Sequence, residues 1–490
     1  MLYIFAKPTQ GIRRLLERTR AQLYGKETVL RADDIVLRFG QSKLADPTEG
    51  LILNRQSALQ LSRSKSQMAK FLRQVGVRFV LPSQNQPSAN RFVRQFRIPV
   101  FNHQPLACFR TDGKEPWTNG RIQGMPQHEE EVALDSDRLI TRAGWLAVRA
   151  VHALGLDAAY VSLGLGPKGV LHVIDVTSNP QLEGRLLEIY SEAIQTYMEQ
   201  QITLSRFNYN QLKLGTDVEL MLENAEGKMV LASRYFTRKG RVGCDDRSVQ
   251  QDGRRLPLLE LRPDPDQSPM GLYVNLRTTM LEAARRINRQ DVAWRAGSMP
   301  FAGYSTGGHI HFSGFPFSSR LVRALDAYLG LPLMAVENPT RALGRRPRYG
   351  FLGDVRHKSY GGFEYRTPAS FIVDPKVTLA AFALAHLIAV HYIELPEIWL
   401  YDPQVQSHFY SHEINELHPY LEQCMVAIRR LPAYRRYEEQ IEPLFHMIEQ
   451  QEIWDETVDV RDVWEIPKRF ANTSSVPAVK RRRRKRVQSS

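Results

Sequence analysis

Four times in the second half of this chain, two residues suited to metal or phosphate stand two positions apart. They are Asp217 and Glu219 in LGTDVEL, Glu260 and Arg262 in LLELRP, His309 and His311 in GGHIHF, and Glu364 and Arg366 in GFEYRT. In a strand, residues i and i+2 point to one face, about 6.5–7 Å apart along the chain. If the four segments are strands of one sheet, one face carries four carboxylates, two imidazoles and two guanidiniums. Such a face has no place in an apolar core, and it suits a site for metal and phosphate.

Composition sets wide bounds. The chain has 490 residues, enough for about two to four domains. Its apolar and charged fractions are those of a globular protein with a sizeable core. Cys108, Cys244 and Cys424 form no CxxC pair and no even framework, which points to a reducing, cytoplasmic setting. MLYIFAKPTQGIRR has too short an apolar run for a signal peptide. The most apolar stretch, Val377–Tyr392, contains His386 and His391, falls short of a spanning length and reads as a buried helix. The net charge is +14, of which KRRRRKR at Lys480–Arg486 carries seven, leaving +7 on the remainder. Such a run reads as a solvated tail, and only through it is nucleic acid or an anionic surface expected to be held. A basic body also suits an anionic substrate such as ATP.

Residues 1–205 read as one α+β unit. Strand-like pieces lie at Asp34–Phe39, Arg78–Leu81, Phe92–Val100 and Leu106–Arg110, with a helix around Ser57–Val75. Asp112–Glu130 is polar with Gly, Pro and Trp, and reads as a loop. Arg138–Leu154 repeats Leu139, Ala143, Leu146, Val151 and Leu154 at helical spacing. A hairpin is expected from Ala159–Leu163 to Leu171–Val176, then a closing helix at Gln181–Gln200. A second unit, 212–395, is expected to hold strands Thr216–Leu222, Lys228–Ala232, Leu258–Arg262, Gly308–Phe312 and Phe363–Thr367. Val242–Gly253 and Arg341–Arg348 read as loops, and Leu272–Asn288 and Arg320–Gly330 as helices. Residues 396–471 form a helical extension packed on this unit, and 472–490 a disordered basic tail.

The chemistry follows residue by residue. An acid–x–acid pair such as Asp217 and Glu219 can place oxygens on two divalent ions, although an exposed edge strand shows the same alternation. Leu214, Val218 and Leu220 are apolar, so the acids share one side of an otherwise buried strand. Glu260 lies in the apolar run LPLLEL, where a carboxylate needs a cation or a metal. His309 is a candidate metal ligand; HxH alone also marks zinc hydrolases, but a set this rich in oxygen fits magnesium or manganese better. Glu364 can bind metal and Arg366 a phosphoryl oxygen. Arg341, Arg345, Arg346, Arg348 and Arg356 crowd one span, either as a solvated loop or, beside a metal site, as a triphosphate clamp.

In this order, GTDVE, ELRP, GGHIHF and FEYRTPAS resemble the glutamine-synthetase and glutamate–cysteine-ligase superfamily, in its phage-type COOH-NH2 ligase (amidoligase) branch. The resemblance covers about 213–392. It implies a glutamine-synthetase-like antiparallel half-barrel with outer helices, binding ATP and magnesium (or manganese) on its concave face. It implies Asp217, Glu219, Glu260, His309 and Glu364 as metal ligands, and Arg366 with some of Arg341–Arg356 on phosphate. Members phosphorylate a carboxylate with ATP, and an amine then attacks the acyl phosphate. Arg366, Arg356 and Asp245 are the candidate catalytic residues, with Asp245 and Asp246 in VGCDDRS available to orient or deprotonate the amine. Cys244 beside them reads as structural.

LGLDAAYVSLGLGPKGVLHVIDVTSNPQLEG, from Leu154 to Gly184, is similar to the end of ATP-grasp ligases, as ILNRQSALQLSRSKSQMAKFLRQVGV is to their entry region, with Lys65 or Lys70 as the nucleotide lysine. Of the three ligand positions implied by that likeness, two read Ser162 and Thr177, leaving Asp175, with Asn179 nearby to support weak nucleotide or peptide binding. Hydroxyls are poor magnesium ligands, so this unit is expected to be ATP-grasp-like but no longer catalytic. The overall expectation is an α+β enzyme, an ATP-dependent carboxylate–amine ligase using small-molecule or peptide carboxylates and amines. The alternative is a non-catalytic nucleotide- or peptide-binding protein with a basic docking tail. Metal-dependent hydrolysis ranks last, since it has no task for the ELRP and EYR arginines.

Overall fold

The computed structural model describes residues 1–40, 45–81, 92–111, 130–204, 207–359 and 361–470. The loop expected at 112–130, apart from Glu130, and the 472–490 tail with its Lys480–Arg486 run lie outside the described residues.

The N-terminal half holds two sheets. Strands β1 (Leu2–Phe5), β2 (Gln22–Leu23), β3 (Ile35–Arg38) and β4 (Leu51–Leu53) form a parallel sheet in the order β2-β1-β3-β4. Strands β5 (Arg94–Phe101), β6 (Gln104–Pro105), β7 (Cys108–Thr111), β8 (Glu130–Val132), β9 (Ala158–Leu165) and β10 (Leu171–Thr177) form an antiparallel sheet, ordered β10-β9-β5-β7-β8, with β6 on β5. The expected hairpin is β9–β10. The helix Arg138–Ala153 buries Ala143, Ala147, Val148 and Val151, and Asp137 caps it by accepting from Leu139 N (2.6 Å) and Ile140 N (2.8 Å). The helix expected over Ser57–Val75 is two, Gln56–Leu61 and Lys65–Gln74, because the Ser64 side chain caps a new start. Of Arg78–Leu81 only a single bridge, Phe79 with Val173, is formed.

The third sheet comprises β11 (Lys213–Asn224), β12 (Met229–Val230), β13 (Val242–Cys244), β14 (Leu258–Leu261), β15 (Val292–Arg295), β16 (Gly308–Ser313), β17 (Val355–His357) and β18 (Phe363–Tyr365). It is antiparallel throughout, in the order β13-β14-β11-β16-β18-β17, with β12 and β15 paired to β11. The four strands that carry the paired polar residues are therefore neighbours. Their alternate residues, among them Leu214, Val218, Leu220, Leu261, Ile310, Phe312 and Phe363, are buried in one core with the helices Pro269–Ile287 and Pro375–His391. Leu417, Leu421, Ile441 and Leu444, on the helices Ile414–Arg430 and Glu438–Glu449 of the C-terminal extension, belong to that same core.

Three expectations change here. β13 lies at the start of the Val242–Gly253 segment expected as loop. The Arg341–Arg348 segment is mostly a helix, Pro339–Arg345, started by the Asn338 side chain accepting from Arg341 N at 3.2 Å, with Pro339 in its first turn. The helix expected at Arg320–Gly330 runs from Ser319 to Leu325, then widens into a π turn over Asp326–Gly330. Among the described residues, no helix is long and apolar enough to cross a membrane.

Two polar seams join the halves. Arg323 Nη1 lies 3.0 Å from Asp157 Oδ1 and Ser319 N donates to Asn102 Oδ1 at 2.8 Å, while Asn54 binds Asp157 through both backbone and side chain. In the second seam, His103 Nδ1 faces His152 Nδ1 (3.1 Å), and His152 Nε2 faces Asp326 Oδ2 (2.9 Å). The Asp326 carboxylate also accepts from Tyr401 (2.7 Å), Tyr365 (2.8 Å) and Gly353 N (2.9 Å). Tyr365 stands between Glu364 and Arg366, so this seam underpins the strand that carries them.

Candidate active site

Register brings the polar residues together. Across β11 and β16 Asp217 faces His309, across β11 and β14 Glu219 faces Glu260, and across β16 and β18 His311 faces Glu364. Directly opposed residues of antiparallel strands hold their Cβ atoms about 4.5–5.5 Å apart. Asp217, Glu219, Glu260, His309 and Glu364 are all buried, and they line one cavity of about 660 Å³. Ligand atoms of Asp217, His309 and Glu364 lie within 4.8 Å of one another.

Charge pairing explains how so many acids coexist. Asp217 Oδ1 is 2.8 Å from His309 Nδ1, and Oδ2 is 3.1 Å from His311 Nε2. Burial opposes ionisation of Asp217, but the two histidines outweigh it and hold its carboxyl well below the usual range. Burial pulls the His309 imidazole down, and the Asp217 charge more than compensates, raising it. His311, which lacked a task in the sequence, braces Asp217. Glu260 behaves differently. Arg262 is paired with it, yet burial and then the Asp217 charge push its carboxyl up to about 7. Three other acids (Asp217, Glu219 and Asp245) raise the cost of charging it.

Glu364 is fully buried. Arg366 Nε stands 3.0 Å and His309 Nδ1 3.2 Å from one of its oxygens, and Arg356 Nη1 3.7 Å and Lys358 close to the other. Neither oxygen receives a hydrogen bond of good geometry. Its lone pairs are surrounded by positive charge but not saturated by directed donors, which fits a carboxylate built to ligate a cation. The oxygen-dominated set, with a single histidine, fits magnesium or manganese and does not resemble the nitrogen and sulfur sets of zinc.

The arginine-rich segment divides. Arg348 and Arg356 line the cavity, as does Arg366. Arg345 also borders it, but its guanidinium is buried and donates to the carbonyls of Thr367 (2.9 Å) and Pro368 (2.9 Å), which ties down the strand end carrying Arg366. Two members of the expected clamp are elsewhere. Arg346 makes a buried bidentate pair with Glu337 (2.7 and 2.6 Å), and Arg341 faces Glu456 of the C-terminal extension (3.4 Å). Both are drawn away by buried acids that need a counter-charge.

Asp245 and Asp246 line the cavity. Asp245 Oδ1 accepts from Arg247 N and Nε, both at 2.8 Å. Burial raises the Asp245 carboxyl, but Arg247 outweighs it and leaves it below the ordinary value. Cys244 is buried, its thiol pushed up to about 11 by burial, and it has a structural setting. Sequence reasoning missed Arg247, Asp354 and Lys358. It also missed the wall supplied by the N-terminal half, where His103, Trp145 and Arg149 reach the cavity. Arg149 donates to Pro347 O at 2.8 Å and stacks over Phe351. The i, i+2 spacing offered a signal for Arg247, Asp354 and Lys358, since Arg247 stands two positions from Asp245, and Asp354 and Lys358 stand two positions either side of Arg356. In the N-terminal half, Lys65 Nζ lies 3.8 Å from the buried Asp175, which pairs in register with Ser162; none of these lines the cavity, and Lys70 is exposed.

A sequence model described as phage phiEco32-like COOH.NH2 ligase-type 2 matches residues 214–466. No curated protein matches by sequence. Among solved structures, a bifunctional glutathione synthetase from Pasteurella multocida is 11% identical, with 55% of this chain and 51% of that chain covered and a TM-score of 0.35. This chain thus spans about half the length of that protein. The ATP-grasp ligase PsnB, complexed with minimal precursor, Mg and ADP, is 9% identical over 40% of this chain and 98% of its own (TM-score 0.28). PafA, the ligase solved with the prokaryotic ubiquitin-like protein Pup, is 12% identical over 49% and 65% (TM-score 0.32).

Proposed function

The chain belongs to the phage phiEco32-like COOH.NH2 ligase-type 2 family, and from that premise we propose that it is an ATP-dependent carboxylate–amine ligase acting through an acyl phosphate. The observation that carries the reading is the register of β14, β11, β16 and β18, which gathers Asp217, Glu219, Glu260, His309 and Glu364 on one buried face. On this reading Asp217, His309 and Glu364 hold one divalent ion, and Glu219 with Glu260 a second. Magnesium is the ion the donor set favours, with manganese as a substitute. When bound, the ions offset negative charge on the transferring phosphoryl group.

The residues of this chain then divide the work. Arg366, Arg356 and Arg348 contact the triphosphate. A substrate carboxylate oxygen attacks the γ-phosphorus, the bond to the bridging oxygen breaks, and ADP leaves. Arg366 and Arg356 donate to the phosphoryl oxygens as charge develops there. An amine attacks the acyl carbon, the C–O bond breaks, and phosphate departs with the electron pair. Asp245 accepts the amine proton. Residues 212–395, with the extension 396–471 that shares their core, form the catalytic part, and 1–205 an accessory unit that supplies one cavity wall.

The test is magnesium-dependent ADP release by the purified full chain with pooled amino acids and peptides. Turnover should require both a carboxylate and an amine and disappear in Glu219→Gln. Nucleotide binding without turnover in any pool would replace the ligase with a non-catalytic nucleotide-binding protein.

A further inference from the structure

Each acid of the cluster has a basic side chain against it, but these side chains are not equally fixed. Arg262 pairs with Glu260 and is tied by Nη1 to the carbonyls of Arg238 and Gly240, both at 3.2 Å. Arg345 is tied to three carbonyls. Arg247 is held otherwise. Its Nη2 donates to Glu219 Oε2 at 2.5 Å and its Nε to Asp245 at 2.8 Å, while Nη1 reaches Ser305 O at 2.8 Å. Two of its three attachments are thus carboxylates. It also stands on the loop between β13 and β14, where Gln250 and Gln251 both have positive φ, and its guanidinium lies 5.5 Å from the Tyr349 ring across the cavity.

A divalent ion and the Arg247 guanidinium compete for the charge of one carboxylate, Glu219, whose Oε2 also accepts from Gly307 N at 2.8 Å. A metal arriving alone must therefore draw Glu219 away from a half-buried arginine that keeps Asp245 and Ser305 but gains no new acceptor, which carries a cost. A triphosphate arriving with the metal supplies a new acceptor of matching charge, and guanidinium forks suit phosphate as well as carboxylate. We propose that Arg247 is an exchange cation. It holds Glu219 until a divalent ion takes that carboxylate, and then turns to the triphosphate, so that metal and nucleotide bind together far better than either alone. The inference rests on the ligase reading of this cavity and makes Arg247 a residue that couples the two ligands.

The probe is Mn2+, followed by its electron paramagnetic resonance signal, on the full chain with and without AMPPNP. Wild type should hold Mn2+ weakly alone and about tenfold or more tightly with AMPPNP, within the usual range of coupling between sites. Arg247→Gln should bind Mn2+ alone about tenfold more tightly than wild type, and AMPPNP should no longer improve it. Arg247→Lys keeps the charge without the fork, so Mn2+ alone should stay weak while the gain from AMPPNP shrinks. Circular dichroism verifies that each variant is folded. If Arg247→Gln leaves both affinities at wild-type values, or if wild type binds Mn2+ tightly with no response to AMPPNP, the exchange is overturned while the metal site stands. If wild type binds neither probe in any combination, the ligase reading fails with it.

Discussion

Arg366 and Arg341 differ in what holds them, not in their charge. Arg366 stands beside Glu364 and Asp354 on the cavity, whereas Arg341 faces Glu456 beyond it. Arg366→Gln should lower ADP release by about 100–1000-fold, the usual loss when a donor to developing charge is removed. Arg366→Lys should not restore it, because an ammonium lacks the fork. Arg341→Gln should leave turnover near wild type and lower thermal stability instead, since Glu456 is then buried without its cation. Steady-state kinetics and a thermal melt on the same preparations separate the two. An arginine's role in this chain was not visible in the run Arg341–Arg356, because the acids that claim Arg341 and Arg346 are remote or on another turn.

At the scale of elements, period two made the polar face legible: Asp217 and Glu219, or Glu364 and Arg366, share a face wherever their strand lies. What could not be read was pairing. Nothing in LGTDVEL says that Asp217 faces His309 and Glu219 faces Glu260. The three-residue strands β13 and β17 were missed because VGC and VRH are too short to show alternation, and only neighbours make them strands. The helix Pro339–Arg345 is flanked by a buried ion pair, Glu337 with Arg346, that bridges its two ends. Burial raises the Glu337 carboxyl, but Arg346 outweighs it and leaves it below the ordinary 4.5. A carboxyl lowered in the folded state stabilises fully above its unfolded pKa and loses that contribution as pH falls through the folded one. Glu337→Gln should thus cost about 3–5 kcal/mol near neutral pH, as for removing one partner of a buried pair. The gap to wild type should close below pH 4.5, measured by urea unfolding across a pH series.

For the whole molecule, the N-terminal half acts as a wall and a brace. Trp145 and Arg149 reach the cavity, and Asp157 holds the buried Arg323 of the other half. Asp157→Ala should leave that guanidinium with only the more distant Glu397 carboxylate, at 4.0 Å, and destabilise the protein by about 3 kcal/mol. If the seam couples the halves, calorimetry should show one unfolding transition in wild type split into two in the variant; a uniform downward shift would mean that Asp157 stabilises its own half only.

The sequence by itself determined the chemistry of the site: which residues are acids, imidazoles and guanidiniums, and which of them share a strand face. These follow from local geometry, since side-chain direction in a strand depends only on parity. Tertiary structure alone decided the rest. It set the order β14-β11-β16-β18, gave the second histidine and Arg262 their acids, withdrew Arg341 and Arg346 from the cavity, and brought Arg247 and the N-terminal wall to it. Those outcomes depend on pairing across long stretches of chain and on the need of each buried charge for a partner, and neither is encoded in any short window.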